Sequence, residues 1–281
     1  MSSPHSRCLV FTDLDGSLLD HHNYSYCDAI PMLNRLEHLG IPVIPATSKT
    51  RSEILQLREE LGNGHPFIVE NGAAVFIPRG YFAKQPAETC ERDDYWVREF
   101  SAGRGTWLQL LESLDDEFAG EFDSFHRAGV EGIMRMTGLS HALAIEANRR
   151  EYSEPVKWLG SAELKADFIA GLQAGGATVL QGGRFLSVAG DCDKGRALQW
   201  LREVYSNAGS PGDWYDLAIG DSGNDVAMLE AAQSALLVRS PVHDLPELSR
   251  QANVMTTTDF GPAGWAEGVA RWLESLREIN T

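Results

Sequence analysis

The sequence predicts an α/β protein: a parallel sheet with flanking helices, assembled from both ends of the chain, and an α+β unit inserted in the middle. Three observations carry this expectation. Short apolar strands alternate with amphipathic helices near the N-terminus, and a β-α-β order implies parallel strands with right-handed crossovers. The same rhythm resumes after about residue 188. Between the two lies a stretch richer in charge that ends in a hairpin pattern, which does not extend a β-α-β series.

"CLVFT" (8–12) reads as a short buried strand. "CDAIPMLNRLEHLG" follows as a helix, with Ile30, Leu33, Leu36 and Leu39 at helical spacing and Gly40 as its C-terminal cap. "IPVIPA" (41–46) is strand-like despite two prolines. "TRSEILQLREELG" is helical, with Ile54, Leu57 and Leu61 on one face and Gly62 ending it. "PFIVE" (66–70) is the next strand, expected to run parallel to the first two. From Tyr81 the character changes, and "TWLQLLESLDDEFAG" and "HALAIEANRREYS" are candidate helices. "SAELKADFIAGLQAGG" is a helix capped by Ser161. "TVLQGGRFLSVAG" reads as two strands joined by Gly182-Gly183. The core rhythm then returns: helix "DKGRALQWLREVYSNAG", strand "YDLAIGD", helix "NDVAMLEAAQ", strand "SALLVRS" and the amphipathic helix "GPAGWAEGVARWLESLREI". The expected division is core 1–81, inserted α+β cap 82–187 and core 188–281.

The formal net charge of -16, from 24 Lys+Arg against 40 Asp+Glu, disfavours nucleic acid and anionic membranes as partners. Binding an anion would need local positive groups or a metal. Four scattered cysteines without a C-x-x-C pair argue against a disulfide framework or structural zinc and suit a reducing cytoplasm. The N-terminus has no long apolar run and no stretch approaches 18 apolar residues, so a protein that is neither exported nor membrane-spanning is expected.

Ligands of an open parallel sheet bind at the carboxyl ends of its strands. After the first predicted strand come Asp13, Asp15 and Gly16; after the second, Thr47, Ser48 and Lys49; after the third, Glu70 and Asn71. Asp193, Lys194 and Gly195 open a core helix, and "GDSGND" follows a later strand with Asp221, Asn224 and Asp225. Singly, each reads as turn or capping chemistry. Together they place carboxylates, hydroxyls and a lysine on one edge, where the carboxylates would repel one another without a cation. Mg²⁺, a hard ion that takes carboxylate and phosphate oxygens, answers both that repulsion and the binding of a phosphate. The roles then follow. Asp13 is the candidate nucleophile, forming an aspartyl-phosphate, and Asp15 is the candidate acid and base. Asp221 holds the metal with Asp225 or Asn224, alongside Asp13 and Asp15. Ser48 or Thr47 donates to a phosphoryl oxygen, and Lys194 neutralises charge shared by Asp13 and the phosphate.

This set resembles the signature of the haloacid dehalogenase-like phosphohydrolases: "DLDGSLL" at their first motif, "TSKT" at the second, "DKG" at the third and "GDSGND" at the fourth. The resemblance implies a Rossmann-like parallel-sheet core, and the position of the insert resembles the subclass with an α/β cap of the C2 type, which acts mostly on sugar phosphates. "TSKTRSEI", "ENGAAVFIP", "MTGLSHALAIEANRREYSEP", "GGRFLSVAG" and "GPAGW" resemble the mannosyl-3-phosphoglycerate phosphatases. That likeness implies hydrolysis of mannosyl-3-phosphoglycerate to mannosylglycerate and phosphate, with glucosyl-3-phosphoglycerate or a broader set of sugar phosphates as the alternative. On this resemblance Ser48 aligns as the phosphate-binding hydroxyl, with Thr47 as the alternative. Arg149, Arg150 and Arg184 become candidates for the glycerate carboxylate or phosphate, since guanidinium suits both. Gly183 precedes Arg184 at the seam, Glu70 and Asn71 are candidates for sugar hydroxyls or for support of the metal, and Lys49 adds charge near the phosphate. A phosphomutase is a further enzyme reading. A receiver-like signalling module also clusters Asp, hydroxyl and Lys, but is shorter and lacks an insert.

Overall fold

The computed structural model describes residues 7–182, 184–209 and 214–279. The first part of the chain runs β1 (Cys8–Thr12), α1 (Ile30–His38), β2 (Val43–Pro45), α2 (Arg51–Leu61), β3 (Phe67–Val69), β4 (Ala74–Pro78), β5 (Cys90–Arg92) and β6 (Tyr95–Glu99). The middle runs α3 (Arg104–Ser113), β7 (Phe122–Ser124), α4 (Phe125–Thr137), α5 (His141–Asn148), β8 (Glu154–Trp158), α6 (Ala162–Ala174), β9 (Thr178–Gln181) and β10 (Leu186–Ala189). The last part runs α7 (Lys194–Ala208), β11 (Tyr215–Gly220), α8 (Val226–Ala231), β12 (Ser234–Arg239), β13 (Val254–Phe260) and α9 (Gly261–Ile279).

A five-stranded sheet in the order β13-β12-β11-β1-β2, parallel throughout, forms the centre among the described residues. Successive side chains of a strand point to opposite faces, and β1 shows the consequence. Cys8 and Val10 join a cluster with Leu217, Ile219 and the α9 residues Trp265, Val269, Trp272 and Leu273. Leu9 and Phe11 join the opposite cluster with Leu198, Leu201 and Met228 from α7 and α8. Both faces of β1 are thus covered, which is why the strand reads as one unbroken apolar run. Pro45 is tolerated because β2 ends the ladder of this sheet. The start of α2 is closed by a capping box in which the Glu53 N–H donates to Thr50 Oγ1 at 3.1 Å and the Thr50 N–H donates to Glu53 Oε2 at 2.8 Å.

The third strand departs from expectation. β3 touches β2 through a single parallel bridge, Ala46 to Ile68, and pairs antiparallel with β4. The chain reverses at once because Glu70, Asn71 and Gly72 all take positive φ, at 48°, 60° and 93°. A Cβ on Gly72 would lie 2.1 Å from the Asp193 carbonyl oxygen, so only glycine allows the approach of the segment that opens α7. The resulting sheet, β3-β4-β6-β5, extends across residue 82, so β5 and β6 share a sheet with the preceding strands. Periodicity also leaves out α4 and β13; β13 has the mixed burial of a sheet edge.

The middle of the chain forms a separate antiparallel sheet, β7-β8-β10-β9. It has its own apolar cluster, including Trp107, Phe122, Val156, Phe168 and Val188. β9 and β10 are the hairpin expected from "TVLQGGRFLSVAG", closed by a Gly182 N–H bond to the Phe185 carbonyl at 2.9 Å. The two chain crossings lie side by side: the Gly190 N–H donates to Ser101 Oγ at 2.9 Å.

Candidate active site

Asp13 follows β1 directly, and its N–H continues the ladder to the Ile219 carbonyl at 2.8 Å. The strand end is buttressed from α9, where Trp265 Nε1–H donates to Thr12 Oγ1 at 2.9 Å and that hydroxyl donates to the Asp13 carbonyl at 2.7 Å. β11 ends in the same way one strand over and delivers Asp221 and Asp225. Lys194, the first residue of α7, is fully buried; its Nζ donates to Asp13 Oδ1 and to Asp225 Oδ1, both at 2.6 Å. A cation at a helix N-terminus opposes the helix dipole, and here two carboxylates outweigh it.

Charge at this edge is unbalanced. Asp13, Asp221 and Asp225 are all buried, with ligand atoms within 4.8 Å of one another. Burial first, and then repulsion from Asp225, push the Asp13 carboxyl well above the usual carboxylate range against the opposing pull of Lys194. The same two causes push Asp221 up to about 7. Burial lowers the Lys194 ammonium, but Asp13 and Asp225 overcome it and hold it above its ordinary value. One ammonium cannot neutralise three desolvated carboxylates. Asp221 Oδ1 is buried with no hydrogen-bond partner. Buried, hard, partly unpartnered oxygens fit a divalent cation. Gly16 makes room for this arrangement: its φ is +84°, and a Cβ there would fall 2.3 Å from Asp221 Oδ2.

The loop after β11 organises itself around Asp225, whose Oδ2 accepts from the Asp221 and Ser222 N–H groups at 3.1 Å each. Asn224 faces Asn71, donating from Nδ2 to Asn71 Oδ1 at 3.1 Å, while Ser222 Oγ donates to its Oδ1 at 2.6 Å. Asp15 stands apart from the three-carboxylate cluster. Its Oδ2 pairs with Lys49 Nζ at 2.7 Å, so its side chain is engaged by the lysine and is not a member of the three-carboxylate cluster that could hold a metal.

A cavity of about 310 Å³ lies over this edge. Its floor includes Asp13, Asp15, Ser48, Lys49, Asn71 and Asn224, and its roof, from the inserted unit, includes Phe125, Leu139, Arg150, Arg184 and Phe185. Ser48 lines the cavity. Thr47 is buried and its hydroxyl accepts the Lys49 N–H at 3.1 Å. Arg150 donates twice to the Ser48 carbonyl, at 3.2 and 2.8 Å, and its Nε is buried without a partner. Arg184 lines the cavity and donates to the Thr137 carbonyl at 3.3 Å.

Two expected contacts lie elsewhere. Arg149 is 62% exposed and pairs with Glu146 at 3.1 Å, one residue away from Arg150 but turned outward. Glu70 is spent on the backbone: it accepts from the Glu151, Tyr152 and Ser153 N–H groups at 2.8, 3.2 and 2.8 Å and from Ser153 Oγ at 2.6 Å. It is therefore a latch between the core and the inserted unit and not a group for sugar hydroxyls. Gly183 lies outside the described residues. Sequence reasoning missed Tyr24, Phe125, Leu139 and Phe185 on the cavity wall, and His243, whose Nε2 lies 3.2 Å from Asp221 Oδ2. Tyr24, Phe125 and His243 stand outside every quoted segment, and Leu139 and Phe185 lie within "MTGLSHALAIEANRREYSEP" and "GGRFLSVAG" without any chemistry that marks them; each reaches the site through the fold.

A family model for haloacid dehalogenase-like hydrolases matches residues 10–89. A protein of Methanococcoides burtonii named glucosyl-3-phosphoglycerate/mannosyl-3-phosphoglycerate phosphatase is 34% identical over 261 residues, covering 93% of this chain and 95% of its own. A protein of the same name from Persephonella marina is 34% identical over 271 residues, covering 95% and 98%. Among solved structures, a phosphatase of the HAD superfamily from Bacteroides thetaiotaomicron superposes with a TM-score of 0.66 at 18% identity over 95% of each chain. A haloacid dehalogenase-like hydrolase from B. subtilis gives 0.64 at 19% identity, covering 95% of this chain and 98% of its own. At these identities the structural likeness is one of fold.

Proposed function

Since this chain belongs to the haloacid dehalogenase-like hydrolases, and is a phosphoric monoester hydrolase among them, we propose that it releases phosphate from mannosyl-3-phosphoglycerate with the help of Mg²⁺. The observation that carries the reading is Lys194, bridging Asp13 and Asp225 inside a cluster of three buried carboxylates. Such a site stabilises a phosphoryl group and a divalent cation together, and phosphoryl transfer depends mainly on positioning and charge neutralisation. Asp13, Asp221 and Asp225 would hold the cation, which would offset charge on the phosphoryl oxygens.

In the first step an Asp13 oxygen bonds to phosphorus as the bond from phosphorus to the glycerate oxygen breaks, and Asp15 gives its proton to that departing oxygen. In the second step Asp15 takes a proton from water, the water oxygen bonds to phosphorus, and the Asp13–phosphorus bond breaks to release phosphate. Ser48 and Lys194 bind phosphoryl oxygens throughout. Residues 101–189 act as the cap: Arg150 and Arg184 face the anionic glycerate and the sugar, and the roof limits water access. The cavity of about 310 Å³ supports a small phosphorylated glycoside as substrate, and the unpaired cysteines support a cytoplasmic setting. Among the described residues no helix is long and apolar enough to cross a membrane.

Both relatives are named for the glucosyl and mannosyl esters together, which favours a second reading in which this chain accepts the two epimers. A phosphate-release screen over both glycosyl-3-phosphoglycerates and simple hexose phosphates decides the matter. The expected result is preference for the glycosyl-3-phosphoglycerates, loss of turnover with EDTA and recovery with Mg²⁺. Preference for an unrelated hexose phosphate, or full activity in EDTA, would overturn it.

A further inference from the structure

We infer that Lys49 is a positioning residue for Asp15: its ammonium fixes the orientation of the acid/base carboxyl. The inference rests on the proposed role of Asp15. Its observation is the pairing of Lys49 Nζ with Asp15 Oδ2 at 2.7 Å, on the cavity floor, while Asp15 Oδ1 is buried with no partner. The ammonium holds the Asp15 carboxyl in one orientation on the cavity floor, where it faces the departing oxygen in the first step and the water in the second.

The lysine is itself held in place. Its Nζ lies 5.2 Å from the centre of the Tyr24 ring, within cation–π range. Tyr24 takes φ 58°, a conformation unfavourable for an aromatic residue, and is maintained there by a tight turn. In that turn the Tyr24 N–H donates to the Asp20 carbonyl at 3.0 Å, and Asp20 Oδ1 accepts the His22 and Asn23 N–H groups at 2.9 and 3.0 Å. Backbone strain of this kind persists where the surroundings over-determine it. Here it places a ring face against the lysine that holds the acid. The chain runs from β1 through Asp13, Asp15 and Gly16 into this turn, so nucleophile, acid and backing ring come from one continuous segment, and Lys49 comes from the next strand end.

The pairing separates Lys49 from a phosphate- or carboxylate-binding role. A substrate-binding lysine would act independently of Asp15, whereas a positioning lysine has no effect once Asp15 is gone. A double-mutant cycle reads this directly. Lys49→Met, Asp15→Asn and the double variant are assayed by phosphate release on the best ester of the panel, with thermal melts to verify folding. Lys49→Gln serves as a second truncation and Lys49→Arg as the conservative variant. Asp15→Asn should lower kcat by about 10²–10⁴, the usual worth of a positioned acid and base. Lys49→Met should lower kcat by roughly 10–100-fold with little change in KM, Lys49→Arg should restore most of it, and the double variant should match Asp15→Asn alone. Losses that multiply in the double variant, or a Lys49→Met effect confined to KM, would overturn the inference and leave the reaction assignment standing. An Asp15→Asn enzyme with unchanged kcat would remove the acid/base reading itself, and Lys49's role with it.

Discussion

The floor and the roof of the cavity differ in how their charged groups are held. On the floor, Lys194 is fully buried and gripped by two carboxylates at 2.6 Å, and Asp225 uses both oxygens. In the roof, Arg184 leans on one backbone carbonyl at 3.3 Å and is exposed. A charged group gripped by buried partners cannot move without leaving charge unpaired in a low dielectric. A group held by one surface carbonyl can reorient around whatever enters. Chemistry is therefore assigned to the rigid floor and discrimination to the adaptable roof, with the Glu70 latch joining them.

Substitutions that act on one part and spare the others can break that division. The largest expected effect is on the floor: Asp13→Asn should lower kcat by about 10³-fold or more while the thermal midpoint stays close to that of the parent, since losing covalent catalysis costs several kcal/mol of barrier. A variant with more than about one per cent of parental kcat in a phosphate-release assay would remove Asp13 as nucleophile. At the seam, Glu70→Gln turns one acceptor oxygen into a donor facing backbone N–H groups, and urea denaturation should show a loss of about 1–3 kcal/mol. An unchanged urea midpoint would mean that the latch contributes no stability. Smallest is the roof: Arg184→Ala should raise KM several-fold, about 1 kcal/mol of binding, with kcat within twofold. Equal losses in kcat and kcat/KM would place Arg184 among the groups that act on the transition state.

Legibility in the sequence follows the same boundary. Asp13, Lys194, Asp221 and Asp225 could be read because an apolar strand followed by a carboxylate, or a lysine opening a helix, is a local pattern whose geometry the backbone dictates. Glu70 was misread by the same rule. It does follow a strand, but that strand turns back into a hairpin through three residues of positive φ, so the side chain meets the backbone of Glu151 to Ser153 instead of the cavity. Arg149 and Arg150 show a second limit. They are adjacent and chemically alike, and only the turn after α5 sends one to solvent and the other to the Ser48 carbonyl.

By itself, the sequence determined the α/β class, a parallel sheet built from both ends of the chain, and the edge at which four motif segments meet. Each motif segment is a local pattern that periodicity and backbone geometry constrain, although the pairings between segments span long stretches of chain, 181 positions from Asp13 to Lys194. The tertiary structure alone decided that Lys49 faces Asp15, that Glu70 latches the inserted unit and that Phe125, Leu139 and Phe185 close the cavity. Those placements join residues up to about a hundred positions apart, such as Ser48 and Arg150. Only the packing of two separate apolar cores against each other sets their distance.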